Sequence, residues 1–379
     1  ASDDRGEYRF YGLSPGRYYL QAGESRGPFG RGGFPGAMRG STAAEEQRIS
    51  TYYPGARDAS AAIPIALRPG DERGGLDIRL LSGRTIDISG TLSLPAQSGP
   101  GPQPFVLLVP ANVSVVSFLD IVRAQVRSGG VFQLRGVQPG SYWLVAGTGG
   151  REGRLTAMES LEAGNTDIEN VAVELQPGVP VNGQLRFEQT AGSALAVQVS
   201  PTLILEPVIR FQRLAQPFQA KPDPTGKFSF PEVSNGIFRL KWTGLEGGWY
   251  ISSARMGGLD LLEQEFRVSP GAAGTPISVT LRPDGGTVQG LVAHSDGQPA
   301  KEAYLTLAPE ADSNGRFQIT GVAPGNYRLY AWESRDGVVD SDPDFLAQFA
   351  SRSVTIQVRA AVVTEQQAVL IPADSPGLY

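Results

Sequence analysis

One sequence pattern occurs four times in this chain, and this repetition limits the fold more than any other feature. The copies read GEYRFYGLSPGRYYLQA, GVFQLRGVQPGSYWLVA, GKFSFPEVSNGIFRLKW and GRFQITGVAPGNYRLYA, and they begin at Gly6, Gly130, Gly226 and Gly315. Self-similarity of this kind marks supersecondary units that recur along a chain. The sequence therefore predicts four related structural units rather than one large domain.

Each copy alternates apolar and polar residues on both sides of a central turn. The apolar pairs before the turn are Tyr8/Phe10, Phe132/Leu134, Phe228/Phe230 and Phe317/Ile319. The pairs after the turn are Tyr18/Leu20, Tyr142/Leu144, Phe238/Leu240 and Tyr327/Leu329. A period of two residues is typical of half-buried β-strands. Every unit is therefore predicted to contain two strands that are joined by a short loop.

The central turn has its own residue pattern. We expect its glycines to supply the backbone freedom of the turn: Gly16, Gly140, Gly236 and Gly325. A proline fixes the preceding φ angle in three copies, at Pro15, Pro139 and Pro324. Asn235 takes this place in the third copy and is also a turn-forming residue.

A second repeated element joins the units, near residues 76–94, 171–187 and 277–293. Each copy contains a strand, a short Pro/Gly linker and a new strand that carries Gly90, Gly183 or Gly290. Short linkers with proline are semi-rigid, so we expect a stiff rod. The predicted fold is all-β, a tandem array of immunoglobulin-like or prealbumin-like sandwiches, with units at 1–82, 83–176, 177–282 and 283–372 and a tail at 373–379.

Two segments interrupt the strand pattern. Residues 23–48 are rich in Gly, Arg and Ser and are predicted to form a mobile loop in the first unit. Residues 341–351 are predicted to form a short helix, which Ser341 or Asp342 would cap and in which Pro343 fits the first turn. Phe345, Leu346 and Phe349 form its apolar stripe, which we expect to pack on the same sandwich.

Composition excludes several classes of function. The net charge is −5 and no basic block occurs, so the chain lacks the electrostatic footprint of a nucleic-acid-binding protein. There are no cysteines and one histidine, which argues against a cysteine nucleophile and against zinc or iron sites. The most apolar stretch, residues 105–122, is interrupted by polar residues and is not a membrane span. We expect no cofactor and no enzymatic activity.

The repeats resemble a known family of β-sandwich modules. Runs such as DDRGEYRFYGLSPGRYYL and SNGRFQITGVAPGNYRLYAWES are similar to carboxypeptidase regulatory-like domains, and through them to transthyretin-like and collagen-binding B-type modules. The resemblance covers most of the chain and implies seven-stranded prealbumin-like sandwiches. Tandem copies are typical of exported proteins of environmental bacteria, Acidobacteria especially, and serve as stalks, spacers and adhesion parts. Such a likeness is specific for fold and weak for function.

Two units depart from the family pattern. The first has no counterpart, before Gly6, of the front strands that the other units carry. The fourth has only residues 310–313 where the family usually has a loop and another strand. We therefore expect the first sandwich to be incomplete and the fourth to be abbreviated.

Several residues are candidate ligand sites, each with a simpler structural interpretation. Asp340, Asp342 and Asp344 are a weak calcium candidate, although helix capping explains them more simply. Carboxylates that precede the repeat glycines are expected to be turn formers, and His294 is expected to lie in a turn. Asn112 begins a glycosylation sequon in an apolar run. Trp249 and Tyr250 are the best carbohydrate platform, whereas Trp143, Trp242 and Trp332 recur at similar repeat positions and are expected to pack in the cores.

The incomplete first sandwich suggests self-assembly at the cell surface. A sandwich without a strand exposes unpaired backbone groups, which a strand from another copy can cover. A contact of this kind that does not close produces a filament. The residues assigned to assembly are Tyr8, Phe10, Val362, Val363, Val369 and Ile371, and the candidate donors are 362–371 with its tail and the N-terminal residues. The alternatives are that the missing strands lie upstream of Ala1, or that the protein is a monomeric stalk or a carbohydrate-binding adhesion module of a larger surface protein.

Overall fold

The structure is a computed structural model of the 379-residue chain. It describes residues 2–13, 16–23, 47–57, 61–67, 70–94, 104–111, 120–148, 155–188, 199–208, 216–270, 274–301, 303–305, 311–312, 314–334, 343–373 and 375. These residues belong to two compact units. The first comprises Ala1–Leu20, Ala62–Asp77 and Asp284–Tyr379, and the second comprises Gln21–Ala61 and Ile78–Pro283.

The first repeat contains only short strands among the described residues. They are β1 (Gly16–Tyr18), β2 (Gln21–Ala22), β3 (Gln47–Arg48), β4 (Thr51–Tyr52), β5 (Ile65–Leu67) and β6 (Ser82–Gly83). They form three antiparallel pairs, β1 with β5, β2 with β4 and β3 with β6.

The second repeat is a sandwich of a three-stranded and a five-stranded sheet. Its strands are β7 (Ile86–Ser93), β8 (Pro104–Pro110), β9 (Val122–Gln125), β10 (Val131–Val137), β11 (Gly140–Thr148), β12 (Leu155–Ala163), β13 (Ile168–Glu174) and β14 (Gln176–Pro177). The sheet orders are β10-β7-β13 and β14-β12-β11-β8-β9. A short 3-10 turn at Ser128–Gly130 leads into β10.

The third repeat is the most complete sandwich. Its strands are β15 (Val179–Phe187), β16 (Thr202–Pro207), β17 (Phe218–Ala220), β18 (Lys227–Val233), β19 (Gly236–Thr243), β20 (Tyr250–Met256), β21 (Leu259–Asp260), β22 (Phe266–Val268) and β23 (Ile277–Arg282). The sheet orders are β18-β15-β23-β20-β21 and β17-β16-β19-β22.

The fourth repeat adds a short helix to the sandwich. Its strands are β24 (Gly286–Ala293), β25 (Tyr304–Leu305), β26 (Arg316–Val322), β27 (Gly325–Leu329), β28 (Ala331–Trp332), β29 (Val354–Val358) and β30 (Val363–Ile371), and its helix α1 (Pro343–Gln348) is followed by a 3-10 turn at Ala350–Arg352. The sheet orders are β25-β28-β30-β24-β26 and β27-β29. Phe345 and Phe349 are buried beside Trp332, as the apolar stripe predicts.

The same three-strand arrangement recurs in the second, third and fourth repeats. The first strand of each repeat, β7, β15 or β24, pairs antiparallel with β10, β18 or β26. On its other side the same strand pairs parallel with a strand near the end of its repeat, β13, β23 or β30. The first strand is therefore held on both sides. The predicted all-β sandwich fold is confirmed, while the four domain boundaries and the stiff rod stay predictions.

Alternating side chains of both sheets fill a core in each of these three repeats. The largest fully buried residues of the second and third cores include Phe132, Leu134, Phe230 and Phe238. The fourth repeat has a smaller core around Val292 and Leu329. Because burying one such side chain stabilises a fold by about 1.5–3 kcal/mol, these cores explain why three of the four repeats fold as sandwiches.

An aspartate-closed turn precedes the repeat glycine in three copies. The Asp223 carboxylate accepts hydrogen bonds from the backbone N–H groups of Thr225 (2.8 Å) and Lys227 (3.0 Å). Asp3 and Asp312 accept the equivalent bonds in the first and fourth repeats. Gly226 adopts a φ of +82°, which a residue with a Cβ rarely takes. The expectation that these carboxylates form turns is therefore confirmed.

The glycine after the central proline has a different role from the predicted one. Gly236 and Gly325 begin strands without a left-handed φ. A Cβ on Gly236 would lie 3.2 Å from the ring of Phe238, and a Cβ on Gly325 would lie 3.3 Å from the ring of Tyr327. Glycine at these two positions spares the aromatic ring a tight contact with a Cβ, whereas the equivalent contact is an ordinary one at Gly16 and Gly140. Our interpretation of backbone freedom in the turn is wrong for Gly236 and Gly325.

Asn235 replaces the repeated proline for a reason that the structure supplies. Its backbone N–H donates to Thr156 Oγ1 of β12 at 3.1 Å, and a proline has no N–H to donate. Nearby, the Arg267 guanidinium donates to the Met158 carbonyl at 2.5 Å. These two bonds link the second and third repeats within the second compact unit.

The turn at Asp223 should respond to pH through its side-chain partner. The Thr225 hydroxyl donates to Asp223 at 2.7 Å and, with the backbone N–H groups, lowers the pKa of Asp223. A lowered pKa in the folded state adds stability at pH values above the pKa of the unfolded chain, about 3.9, which is lost as the pH falls through the folded pKa. We expect Thr225→Val to raise the pKa of Asp223 in an NMR titration, whereas Thr225→Ser keeps it low. An unchanged pKa in Thr225→Val would contradict this assignment.

Candidate assembly surface

The segment of the first repeat that corresponds to β10 is exposed rather than buried. Tyr8, Phe10 and Leu13 expose 38%, 61% and 45% of their surface. The residues at the same repeat positions in β10 are Phe132, Leu134 and Val137, which expose 1%, 0% and 0%. Phe228, Phe230 and Val233 in β18 are equally buried. The first repeat therefore keeps core-type side chains but leaves them uncovered.

The cause of this exposure is a missing neighbour within the described part of the chain. In the second repeat, β7 lies beside β10 and supplies the buried Ile86, Ile88 and Leu92. No strand among the described residues of the first repeat takes the place of β7. Residues 7–13 therefore lack the covering strand that β7 provides in the second repeat, and they form no described strand.

The other flank of this surface is the stretch Asp71–Asp77. The Tyr8 hydroxyl donates to the Leu76 carbonyl, and Arg9 forms an ion pair with Glu72 at 3.3 Å. Both partners of the ion pair are well exposed, so it contributes little stability. The rings of Tyr8 and Phe10 meet edge to face at 5.9 Å. We call residues 7–13 and 71–77 together the acceptor surface.

Sequence reasoning missed two members of the acceptor surface. Leu13 is exposed although Val137 and Val233, at the same repeat position, are buried. Tyr11 exposes 75% of its surface and lies under the Arg9 guanidinium, whose carbon is 4.9 Å from the ring centroid. A signal was present in the sequence, because the other repeats carry Arg135, Pro231 and Thr320 at the position of Tyr11. Because only the first repeat has an aromatic residue at this outward-facing position, its surroundings should differ from those in the other repeats.

Most of the candidate donor segment 362–371 is a strand of its own sandwich, and its role as a donor stays a prediction. Residues Val363–Val369 pair parallel with β24, and Leu370 and Ile371 pair with β28. Val362, Val363 and Val369 are exposed, but Ile371 is fully buried. The segment could be donated only by leaving a sheet in which its backbone is hydrogen-bonded.

The two residues of the carbohydrate candidate have different environments. Tyr250 is buried, so a sugar cannot stack on its ring in this arrangement. Trp249 is half-buried, packs against the third core and meets Phe187 edge to face at 5.5 Å. The carbohydrate hypothesis therefore depends on Trp249 alone and stays a prediction. Trp332 lies in a core as expected, whereas Trp143 and Trp242 are only partly buried.

The calcium and glycosylation candidates lie mostly outside the described residues. Asp340, Asp342 and Asn112 lie outside the described residues, and Asp344 lies in α1. No group of three or more metal-ligating carboxylate or histidine side chains occurs in the described ranges. His294 is exposed in a turn in which its N–H donates to the Gln298 carbonyl at 2.8 Å. No helix within the described part of the chain is long and apolar enough to cross a membrane.

A small cavity of about 60 Å³ lies between the second and third repeats in the second compact unit. Apolar side chains line most of it, including Leu107, Met158 and Ile237, and Asn235 lies at its edge. Ligand pockets for small molecules are several times larger. This cavity is therefore a packing feature and not a candidate substrate site.

One protein family matches part of the chain. The family model described as polysaccharide lyase family 4, domain II, matches residues 285–359, which lie in the fourth repeat. This match covers less than half of the chain and supports an immunoglobulin-like or fibronectin-like fold for that repeat. Membership of the carboxypeptidase regulatory-like family and an origin in Acidobacteria stay predictions. No curated protein matches the chain.

Solved structures with some likeness to this chain include two pilins and a Bacillus protein. The Bacillus anthracis TIE protein is 11% identical with a TM-score of 0.21, and the match covers 78% of this chain and 56% of that one. A streptococcal ancillary pilin is 11% identical with a TM-score of 0.20, covering 74% and 99%. BcpA, the major pilin subunit of Bacillus cereus, is 8% identical with a TM-score of 0.19, covering 76% and 99%. TM-scores this low carry no functional argument.

The difference in exposure between Phe132 and Tyr8 predicts that matched substitutions will change stability by different amounts. Phe132→Ala should lower the stability of the second sandwich by about 3–5 kcal/mol, because it removes a buried ring. Tyr8→Ala, at the same repeat position, should cost only about 0.5–1.5 kcal/mol, the contribution of its hydrogen bond to the Leu76 carbonyl, because the ring is partly exposed. Calorimetric unfolding of both variants measures the difference. An equally large loss in Tyr8→Ala would show that the ring is buried in solution.

Proposed function

We propose that this protein is a non-enzymatic structural subunit of the cell surface whose first repeat accepts a β-strand from a neighbouring subunit. One observation supports this proposal above the others. Three core-type side chains of the first repeat are exposed, whereas their counterparts in other repeats are buried under a strand. A protein that exposes such a surface must cover it or aggregate.

Strand addition is the form of cover that suits this surface. An added strand would place apolar side chains on Phe10 and Leu13 and could form backbone hydrogen bonds with residues 8–13. A contact between different surfaces of successive subunits propagates into a fibre when it does not close into a ring. Export to the cell surface is part of this proposal.

The chemistry of the described residues agrees with a structural role. The described carboxylates at Asp3, Asp223 and Asp312 accept backbone hydrogen bonds in turns. The sole histidine is an exposed turn residue with no triad partner implied by its position. The competing function, a monomeric stalk or adhesion module, predicts the same sandwiches but no strand exchange between copies.

Electron microscopy of the protein purified from its source tests this function. We expect long regular fibres, which Phe10→Arg abolishes because it places a charge on the acceptor surface. Leu262→Arg is the matched control, since Leu262 is also an exposed apolar side chain but lies in the third repeat. A monodisperse monomer in light scattering of the concentrated native protein would contradict the proposal and favour the monomeric stalk.

A further inference from the structure

A glycine recurs at the same position in the first strand of the second, third and fourth repeats. Gly90, Gly183 and Gly290 pair with Phe132, Phe228 and Phe317 in the antiparallel direction. They pair with Val171, Ile277 and Gln366 in the parallel direction. The register around this glycine is therefore the same in three sandwiches.

The space at this glycine is too small for a side chain. A Cβ on Gly90 would lie 2.7 Å from the ring of Phe132 and would overlap the carbonyl oxygen of Val171. A Cβ on Gly183 would lie 2.6 Å from the carbonyl oxygen of Ile277 and would overlap the ring of Phe228. A Cβ on Gly290 would overlap the carbonyl oxygen of Gln366. A carbonyl excludes every residue except glycine at all three positions, and at Gly90 and Gly183 an aromatic ring forms a second wall on the other side.

The first repeat contains the same two walls. Tyr8 occupies the repeat position of Phe132 and Phe228. Leu76 occupies the position of Val171 and Ile277, because the runs LDIRL, VAVEL and ISVTL correspond. The Tyr8 hydroxyl donates directly to the Leu76 carbonyl, the group that faces the strand glycine in the other repeats. The two walls thus face each other with no described strand between them.

The flanks of the glycine are equally constant. The residues two positions before it are Ile88, Val181 and Val288, and those two positions after it are Leu92, Leu185 and Val292. All six are buried. They lie on the strands that pair with β10, β18 and β26. The first strand therefore has the five-residue pattern apolar-x-Gly-x-apolar, in which x is any residue.

We propose that the acceptor surface takes a strand with the pattern (Ile/Val)-x-Gly-x-(Leu/Val) from a neighbouring polypeptide, in one fixed register. The strand runs antiparallel to residues 7–13 and parallel to residues 71–77. Its glycine lies between the Tyr8 ring and the Leu76 carbonyl, and its apolar residues cover Phe10 and Leu13. This inference rests on the proposed function and adds the chemistry and register of the partner strand.

The pattern also separates candidate donors. It occurs three times in the sequence, at Gly90, Gly183 and Gly290, and each of these strands is held on both sides in its own sheet. Gly377 in the tail has Ser375 two positions before it and Pro376 directly before it, which removes a backbone donor. The segment Val363–Ile371 contains no glycine. Neither C-terminal candidate therefore carries the full pattern.

A peptide experiment tests the register directly. A labelled peptide with the sequence TIDISGTLS, copied from residues 85–93, is titrated into the 379-residue chain and followed by fluorescence anisotropy. The control is the same peptide with Gly90→Val. We expect one bound peptide per chain, protection of residues 7–11 from hydrogen exchange, and binding of the control weaker by at least about tenfold because its side chain overpacks the walls.

Variants of the protein give a second readout. Tyr8→Phe should keep peptide binding, since phenylalanine is the residue of the complete repeats, and Tyr8→Ala should weaken it. Equal binding of the two peptides, absent binding, or protection that appears at residues 131–137 instead would overturn the inference. Peptide binding without native fibres would overturn only the proposed function, whereas fibres that form without glycine-dependent peptide binding would overturn only the register.

Discussion

A glycine in the first strand lets that strand fit between its two neighbours in the second, third and fourth repeats. In three repeats the first strand lies between an antiparallel and a parallel partner, and Gly90, Gly183 or Gly290 lets the three backbones and an aromatic ring approach closely. The aromatic side chains of the second strand are buried only because this first strand covers them. The buried cores depend on that one inserted strand, whereas the aspartate-closed turn also forms at Asp3 in the first repeat, where no such strand is described.

In the first repeat no described strand fills this position, and its side chains differ accordingly. Tyr8 and Phe10 have the sequence of core residues and the exposure of surface residues. The Tyr8 hydroxyl reaches the Leu76 carbonyl, so the two sides of the position are held near each other by one side chain. Burying Phe10 and Leu13 under an added strand would contribute at most about 1.5–3 kcal/mol for each side chain, which favours a contact between subunits.

Local patterns in the sequence predict much of the fold, and non-local pairings explain the rest. The alternation in VFQLRGV and SYWLVA places Phe132, Leu134, Tyr142 and Leu144 in a core, because side chains two residues apart share a face. The parallel pairing of β24 with β30 cannot be predicted from the sequence of either strand. The sequence therefore allows 362–371 as a candidate donor, although Val363–Ile371 is an inner strand of its own sheet. The exchange of proline for Asn235 reads as one turn former for another, and only the bond to Thr156 in the preceding repeat explains it. The acceptor surface was predictable through Tyr8 and Phe10, whereas Leu76 was not, because a backbone carbonyl leaves no mark in a sequence.

The central claim is that a strand from another subunit covers Tyr8 and Phe10 in the assembled protein. Electron cryomicroscopy of the native fibre at side-chain resolution measures this directly. The account predicts density for a strand of a neighbouring subunit between residues 7–13 and 71–77, with a glycine against the Tyr8 ring. A map in which Tyr8 and Phe10 face solvent, with the subunits joined through other surfaces, would contradict it.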